Sequence, residues 1–392
     1  MKNQKVVLAY SGGLDTSVCI RWLQERGWRV IAYCADVGQG ENFRPVRERG
    51  LKCGAEKVII QNLRKEFARE FILPSLQAGA IYQEKYLLAT ALSRPLIARG
   101  LAQAARQNGA IAVAHGCTGK GNDQVRIEVS LKIMNPRLQV LAPVRDWELT
   151  SRQAEIAYAK ERRIPIPPKK KSRYSLDQNL WGVSIESGPL EDPWEPPPAD
   201  CYQWTVDPAK AAARPEEVRV EFLQGVPIAL NGRKLELVEL IERLNKTGIR
   251  HGVGRSDMIE DRLVGIKSRE IYEAPAAWVL HTALRELEQL TLDRETLAFK
   301  AAAAQRYARL VYDGLWFTEL KAGLDAFTEQ VMRRVTGTIQ LRLFRGTCVP
   351  VGRKSPNSRY AKGLATYEGK DDFDQKAAAG FIQLFGLPYT PR

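Results

Sequence analysis

VVLAYSGGLDTSVCIRWL, residues 6–23, begins as a continuous apolar run, turns on Gly12 and Gly13, and resumes with the spacing of a helix. Residues 6–10 suit a strand buried on both faces, as in a parallel sheet. Leu14, Val18 and Trp22 recur at i, i+4 and i+8, with Cys19 and Leu23 beside them, which is a helical stripe. Gly27 is placed to end that helix as its left-handed cap, and RVIAYCADVG, residues 29–38, reads as a second buried strand stopped by Gly38. Strand, helix and strand in so short a span make one βαβ unit.

The alternation continues outward. A polar segment covers 41–53, KVII (57–60) is a third strand and 63–73 is helical. An Ala/Leu-rich helix spans 87–108 and ends at Asn108–Gly109. AIAVAHG (110–116) and LQVLAPV (138–144) are a fourth and fifth strand, and a helix capped near Thr150–Ser151 runs through Tyr158. This order predicts an α/β fold: a doubly wound parallel sheet over residues 1–165, whose ligands lie beyond the carboxyl ends of the strands.

Composition changes at IPIPPKKKSRYS (164–175) and at EDPWEPPPADC (191–201), where prolines block regular structure and mark linker and crossover segments. A second, α+β domain follows over 172–365, with strands and helices in no βαβ order. In TIQLRLFRGTCVPV (338–351), Ile339, Leu341 and Leu343 alternate with Gln340, Arg342 and Phe344, which is a hairpin pattern. The tail, 366–392, carries an amphipathic helix starting at Asp371, with apolar residues at 373, 377, 381, 384 and 385 and Gly386 as terminator. Little chain remains to cover its apolar face, so it either folds back or is buried against another subunit.

The bulk numbers narrow the class. At 392 residues the chain exceeds the usual single core, so two domains are expected. The start, MKNQKVVLAY, has no signal-peptide core and no later run approaches a membrane span, so a cytoplasmic location and no membrane partner are expected. Six scattered cysteines without a C-x-x-C pair and three histidines suggest neither a zinc site nor a disulfide framework. A net charge of +14 fits either a nucleic-acid surface or a field that draws in small anions. The basic residues are dispersed and their densest run is Lys169–Lys171, so charge alone does not separate the two.

The turn after the first strand matches neither G-x-x-x-x-G-K-[ST] nor G-x-G-x-x-G. It offers free backbone N–H groups and the positive end of a helix dipole, where an anion gains roughly 0.3–2 kcal/mol. Ser11, Thr16 and Ser17 add hydroxyls. Asp15 has two readings: it complements the helix dipole, or it helps hold the Mg²⁺ that accompanies a nucleoside triphosphate. A second cluster, AHGCTGKGNDQVRIE (114–128), follows the fourth strand and opens on the same sheet edge. Gly116, Gly119 and Gly121 permit close backbone approach, while Thr118, Lys120, Asn122, Asp123 and Arg126 gather polar groups into one loop. Asn122 and Asp123 suit a substrate ammonium and amide, and Arg126 offers a planar fork for a carboxylate.

SGGLDTS resembles the pyrophosphate loop of the N-type ATP pyrophosphatases, which cleave ATP between its α and β phosphates. The second cluster resembles the substrate loop of the argininosuccinate synthase family within that class. YLLATALSRP (86–95), YSLDQNLWG (174–182), IEDRLVGIKSREIYEAPA (259–276) and LATYEGKDDFDQKAAAGFIQLFGLP (364–388) resemble it too, in the family's order and over nearly the whole chain.

The resemblance implies an N-terminal nucleotide-binding domain, a synthetase and multimerisation domain, and an oligomerisation tail. It places ATP along Ala9, Tyr10, Ser11, Gly12, Gly13, Leu14, Asp15, Thr16 and Ser17, with Ala35 and Gly116 completing the site. It places L-aspartate on Thr118, Asn122 and Asp123. L-citrulline falls to Tyr86, Asn122, Arg126, Ser175, Ser184, Glu260 and Tyr272, plus the backbone near Ala91, where some relatives carry Ser. The implied reaction joins citrulline to aspartate through a citrullyl-adenylate, with release of pyrophosphate and then AMP, and serves arginine synthesis or urea disposal. The implied partners are these small molecules and Mg²⁺, with no nucleic acid, and the implied assembly is a homotetramer. Such a transfer needs mainly positioning and charge neutralisation. Asp123 either accepts the amine proton or only orients the ammonium, so no catalytic base and no metal ligand is assigned. A tRNA-modifying relative is the principal rival, but such enzymes typically use paired cysteines, which this chain lacks. A non-catalytic nucleotide sensor is the other.

Overall fold

The computed structural model describes residues 3–165, 172–368 and 372–391. The Lys169–Lys171 run and Asp371 lie outside the described residues. Five parallel strands, β1 (Gln4–Ala9), β2 (Trp28–Asp36), β3 (Lys57–Asn62), β4 (Ala112–Ala114) and β5 (Gln139–Leu141), form a sheet in the order β3-β2-β1-β4-β5. Val6, Val7 and Leu8 have no exposed surface, because β1 lies between β2 and β4 with helices on both faces. The first helix runs Leu14–Glu25 as the apolar stripe predicts, and Gly27 takes the left-handed backbone that closes it (φ +85°). The long helix is Ala89–Asn108 and the later one is Arg152–Glu161, capped by the Ser151 hydroxyl on the Ala154 N–H.

Strand order reverses between β1 and β4, so the crevice beyond their carboxyl ends is the topological switch point of the sheet. The Ser11–Gly13 turn leaves β1 there, and residues 115–121 leave β4 beside it.

Two antiparallel sheets follow. One joins β6 (Ser175–Asn179), β7 (Gly182–Glu186), β11 (Arg255–Asp261) and β12 (Lys267–Glu273) in the order β11-β12-β7-β6. The other joins β8 (Glu216–Leu223), β9 (Val226–Leu230), β10 (Arg233–Lys234), β13 (Gly337–Phe344) and β14 (Thr347–Lys354) as β10-β9-β8-β13-β14. β13 and β14 are the hairpin expected at 338–351, with Ile339, Leu341 and Leu343 fully buried. Residues 191–201 form no strand or α-helix, yet Leu190 and Cys201 pack with Tyr174, Ile185 and Ile271 against the first of these sheets.

The largest apolar core joins the two halves of the chain. Phe67, Phe71, Leu76 and Leu92 pack with Trp181, Leu244, Leu280, Tyr307 and Trp316, so the helices before residue 96 bury one face against the later elements. The tail behaves differently. Its helix, Ala377–Gly386, has no buried residue, and Phe381, Ile382, Leu384 and Phe385 are each exposed by 60% or more. Gly386 does not stop it: its backbone stays right-handed (φ −75°) and a further helical turn continues through Leu387–Tyr389. A glycine ends a helix by turning left-handed, which this one does not do, and Pro388 is tolerated at the start of the following turn.

Candidate functional site

At the sheet edge the first helix begins on Gly13 with no side-chain cap, so its first-turn N–H groups face the crevice. Gly12 holds a left-handed backbone (φ +75°), and its carbonyl is held by the Arg49 guanidinium. The Gly13 N–H donates to Ser11 Oγ at 3.3 Å, and the Ser11 and Thr16 hydroxyls lie 3.1 Å apart. Tyr10 and Ser17 pair beneath the turn at 3.3 Å, and burial pushes the Tyr10 phenol up to about 12, so it stays protonated. Ala35, next to last in β2, lies on the same edge. A Cβ at Gly116 would stand 2.9 Å from Thr16 Cγ2, so only glycine lets the strand-four loop lie against the first helix. Here the two sequence motifs become one crevice.

Behind Gly116 the Cys117 N–H donates to His115 Nδ1 (3.3 Å), which leaves the ring proton on Nε2 to donate to Glu128 (3.1 Å). That N–H, with Arg145, holds the Glu128 carboxyl below its ordinary range. Asp15 projects from the first turn, 3.6 Å from Arg152. Burial, and then the Asp15 carboxylate beside it, push Glu155 up to about 8.

The second cluster is not one loop. Residues 118–121 form an exposed turn carrying Thr118 and Lys120, and a helix then runs Asn122–Met134. Asn122, Asp123 and Arg126 therefore stand on its first two turns, and the helix aims them away from the turn toward the antiparallel sheets. Asp123 accepts from Arg94 (2.7 Å) and Arg126 (3.0 Å), and Arg94 also binds Asp177 on β6. Burial raises Asp123, but the two guanidinium groups outweigh it and hold the carboxyl at about 2. Burial pushes Asp177 the other way.

Beyond Arg126 lies an aromatic cage. Glu260, on β11 and 3% exposed, accepts from Tyr272 (2.5 Å) and from Tyr312 (2.7 Å). Tyr86 stacks on Tyr272 with ring centres 4.0 Å apart. Its hydroxyl accepts from the N–H groups of Thr90 and Ala91 (3.0 and 3.1 Å), so it caps the Ala89–Asn108 helix and already satisfies the Ala91 backbone. Ser184, opposite Tyr272 in the sheet, lies 3.2 Å from the Thr90 hydroxyl. Burial raises the Tyr86 and Tyr272 phenols, so both remain donors or neutral acceptors.

The structure thus brings Tyr86, Asn122, Asp123, Arg126, Ser184, Glu260 and Tyr272 together. Ser175 stands apart, exposed at the start of β6 opposite Glu186. Arg94, Asp177 and Tyr312 are the members that sequence reasoning did not single out. Arg94 and Asp177 sit inside the quoted strings YLLATALSRP and YSLDQNLWG, which was their only signal. Tyr312 belongs to the helix Arg294–Tyr312, where it reads as one more core residue beside Tyr307, Ala308 and Val311. Arg94 and Arg126 are paired with Asp123 and Asp177, whereas Glu260 receives only phenol donors, which leaves its carboxylate able to accept a substrate ammonium.

Comparison with known proteins gives the same order. Residues 5–165 match the family described as arginosuccinate synthase N-terminal HUP domain, and residues 174–391 match the arginosuccinate synthase C-terminal domain. The chain is 55% identical to the argininosuccinate synthase of Rubrobacter xylanophilus over 98% of its own length and 94% of that protein's. It is 55% identical to the enzyme of that name from Symbiobacterium thermophilum (99% and 97% covered) and 53% identical to that of Carboxydothermus hydrogenoformans (99% and 97% covered).

Proposed function

The chain belongs to the argininosuccinate synthase family, and we propose that the crevice beyond β1 and β4 holds its ATP while the cage around Glu260 holds its citrulline. The protein is an ATP-dependent ligase that forms a C–N bond between L-citrulline and L-aspartate, a step of arginine biosynthesis. The observation that carries the assignment of sites is the contact of Gly116 with Thr16, which places the phosphate turn and the helix bearing Asn122, Asp123 and Arg126 on one edge.

In the reaction the ureido oxygen of citrulline attacks the α-phosphorus, the bond to the β-phosphate oxygen breaks and pyrophosphate leaves. The aspartate amine then attacks the ureido carbon, loses a proton, and expels AMP. On our reading the first-turn N–H groups at Leu14–Thr16 take the leaving pyrophosphate, and the Ser11 and Thr16 hydroxyls complete that nest. Asp123, kept ionised by Arg94 and Arg126, orients the aspartate ammonium with Thr118 and Asn122. Arg126 and Glu260 meet the carboxylate and ammonium of citrulline, and stacked Tyr86 and Tyr272 wall its side chain. Holding both substrates against the phosphate is the catalytic contribution.

The Asp15 side fits Mg²⁺. Glu155 Oε2 is buried without a hydrogen-bond partner beside Asp15, and hard carboxylate oxygens, one or two with phosphates, are what this ion takes. Asp15 and Glu155 would hold it, where it would neutralise phosphate charge. Among the described residues no group of three acidic, His or Cys side chains forms a metal cage.

We further infer assembly of identical subunits through the tail, a tetramer by family resemblance, supported by the exposed Phe381–Phe385 pair. Six free thiols support a reducing, cytoplasmic setting. Among the described residues no helix is long and apolar enough to cross a membrane. The test is pyrophosphate release with citrulline and aspartate added singly and together. Release is expected to require citrulline; release indifferent to it overturns the reading.

A further inference from the structure

We propose that Tyr312 is a positioning residue for the citrulline cage, an inference that rests on reading Tyr86, Asn122, Arg126, Glu260 and Tyr272 as that cage. Tyr312 is the last residue of the helix Arg294–Tyr312, far in sequence from every member of the site, and its ring is 1% exposed. Its hydroxyl accepts from Asn122 Nδ2 at 2.7 Å and donates to Glu260 Oε1 at 2.7 Å. Its backbone carbonyl accepts from Arg126 Nε at 2.8 Å. Its ring stacks on Tyr82 at 3.6 Å, meets Tyr86 edge-on at 6.3 Å, and carries the Arg126 guanidinium 4.8 Å from its centre.

One hydroxyl therefore sets two substrate-facing groups at once. Asn122 Oδ1 accepts from the Leu263 N–H (2.9 Å), so with Nδ2 on Tyr312 the amide has a single orientation and one N–H left for a ligand. Glu260 has Oε2 on Tyr272 and Oε1 on Tyr312, which fixes the carboxylate plane and leaves lone pairs on both oxygens for an ammonium. Burial and the Glu260 carboxylate raise the Tyr312 phenol, so it remains a donor throughout the working pH range. Gly314 locks the helix end against the site: a Cβ there would stand 2.6 Å from Arg126 Cα.

Tyr312→Phe removes the hydroxyl and keeps the ring, the stack and the backbone bond to Arg126. Each lost bond to a charged or amide partner weakens binding severalfold or more. We expect the citrulline KM to rise about tenfold or more, the aspartate KM severalfold through Asn122, and the ATP KM to stay within about twofold, with kcat little changed. Tyr307→Phe on the same helix, whose phenol binds Asp325 instead (2.8 Å), is expected to leave all three KM values unchanged. The rise in Tm on adding citrulline, measured on the same preparations, separates lost binding from lost fold. Glu260→Gln run in parallel separates the two levels of the argument. A raised citrulline KM in Glu260→Gln with none in Tyr312→Phe overturns the positioning role alone. An unchanged citrulline KM in both overturns the cage reading and this proposal with it. A uniform fall in kcat with all KM values unchanged marks a merely structural tyrosine and also overturns it.

Discussion

At the carboxyl end of β1 the chain offers backbone N–H groups, the Ser11 and Thr16 hydroxyls and one half-exposed carboxylate. Between the sheets it offers Arg94, Asp123, Arg126, Asp177 and Glu260, each answered by another side chain. On the proposed reading the first region meets charge with the geometry of a turn, and the second meets it with ionised groups that are paired before any ligand arrives. A turn of that kind needs glycine and little else, so its failure modes are steric. A pre-paired ionic pocket fails when one partner is removed, because the other is left buried and unanswered.

The largest effect is therefore expected in the pocket. Arg94→Met keeps the aliphatic stem but leaves Asp177 facing Asp123 without the guanidinium between them. Asp177 is part-exposed and Asp123 keeps Arg126, so the lost pairing costs about 1–3 kcal/mol, read as a lower midpoint in denaturant unfolding, and the aspartate kcat/KM falls with it. If stability and turnover both survive, the pocket is not pre-paired in the sense argued above, and the contrast with the turn collapses.

Gly116→Val is the steric counterpart. Its Cβ, 2.9 Å from Thr16 Cγ2, must push the strand-four loop off the first helix. Overpacking of this kind costs about 1–3 kcal/mol, and the ATP KM is expected to rise by roughly tenfold, the equivalent of about 1.4 kcal/mol. A citrulline KM that rises more than the ATP KM would place the damage in the other region.

This contrast also explains what is legible in the sequence. The parallel sheet is readable because each strand is a short apolar run buried on both faces, and each turn is written in consecutive residues. The phosphate turn is readable for the same reason. The cage is assembled from residues 86, 122, 126, 260, 272 and 312; the polar cluster after the fourth strand pointed to Asn122 and Arg126, whereas only the quoted family strings raised Tyr86, Glu260 and Tyr272. Tyr312 lay outside those strings, and an aromatic on a helical stripe has the look of core. Asn122, Asp123 and Arg126 read as part of one tight loop, although a glycine-rich turn leading into a helix was the plainer alternative, and the helix is what forms.

Asp15→Asn tests the half-exposed carboxylate. Weaker use of Mg·ATP by about tenfold is expected, equal to about 1.4 kcal/mol, with the fold intact. The variant also carries a pH signature. In metal-free protein Glu155 is raised from its ordinary 4.5 to about 8, so it is protonated on folding; its contribution is complete below 4.5 and is lost as the pH rises through about 8. Removing the Asp15 charge takes away part of the cause, so the decline of Tm with pH between 4.5 and 8 is expected to flatten. Scanning calorimetry across that range checks it, and an unchanged slope would mean that burial alone raises Glu155.

The tail supplies a third kind of region, apolar but unburied, and its removal is expected to disturb the other two least. Nothing in the helix Ala377–Gly386 is buried within its own chain, so the subunit loses almost no packing when the chain is ended at Lys370. Phe381, Ile382, Leu384 and Phe385 together expose more apolar surface than a lone helix keeps in water without a partner. The expected result is a smaller species in sedimentation velocity with citrulline and ATP KM values within about twofold of the intact chain, as for changes remote from a site. Every partner of Glu260, Asn122 and Asp123 described above comes from the part of the chain before the tail, so truncation leaves that pairing in place. A KM for citrulline that rises sharply on truncation, at protein concentrations where the intact chain is fully assembled, would mean that a neighbouring subunit shapes the cage, and the division between a self-sufficient pocket and a purely assembling tail would fail.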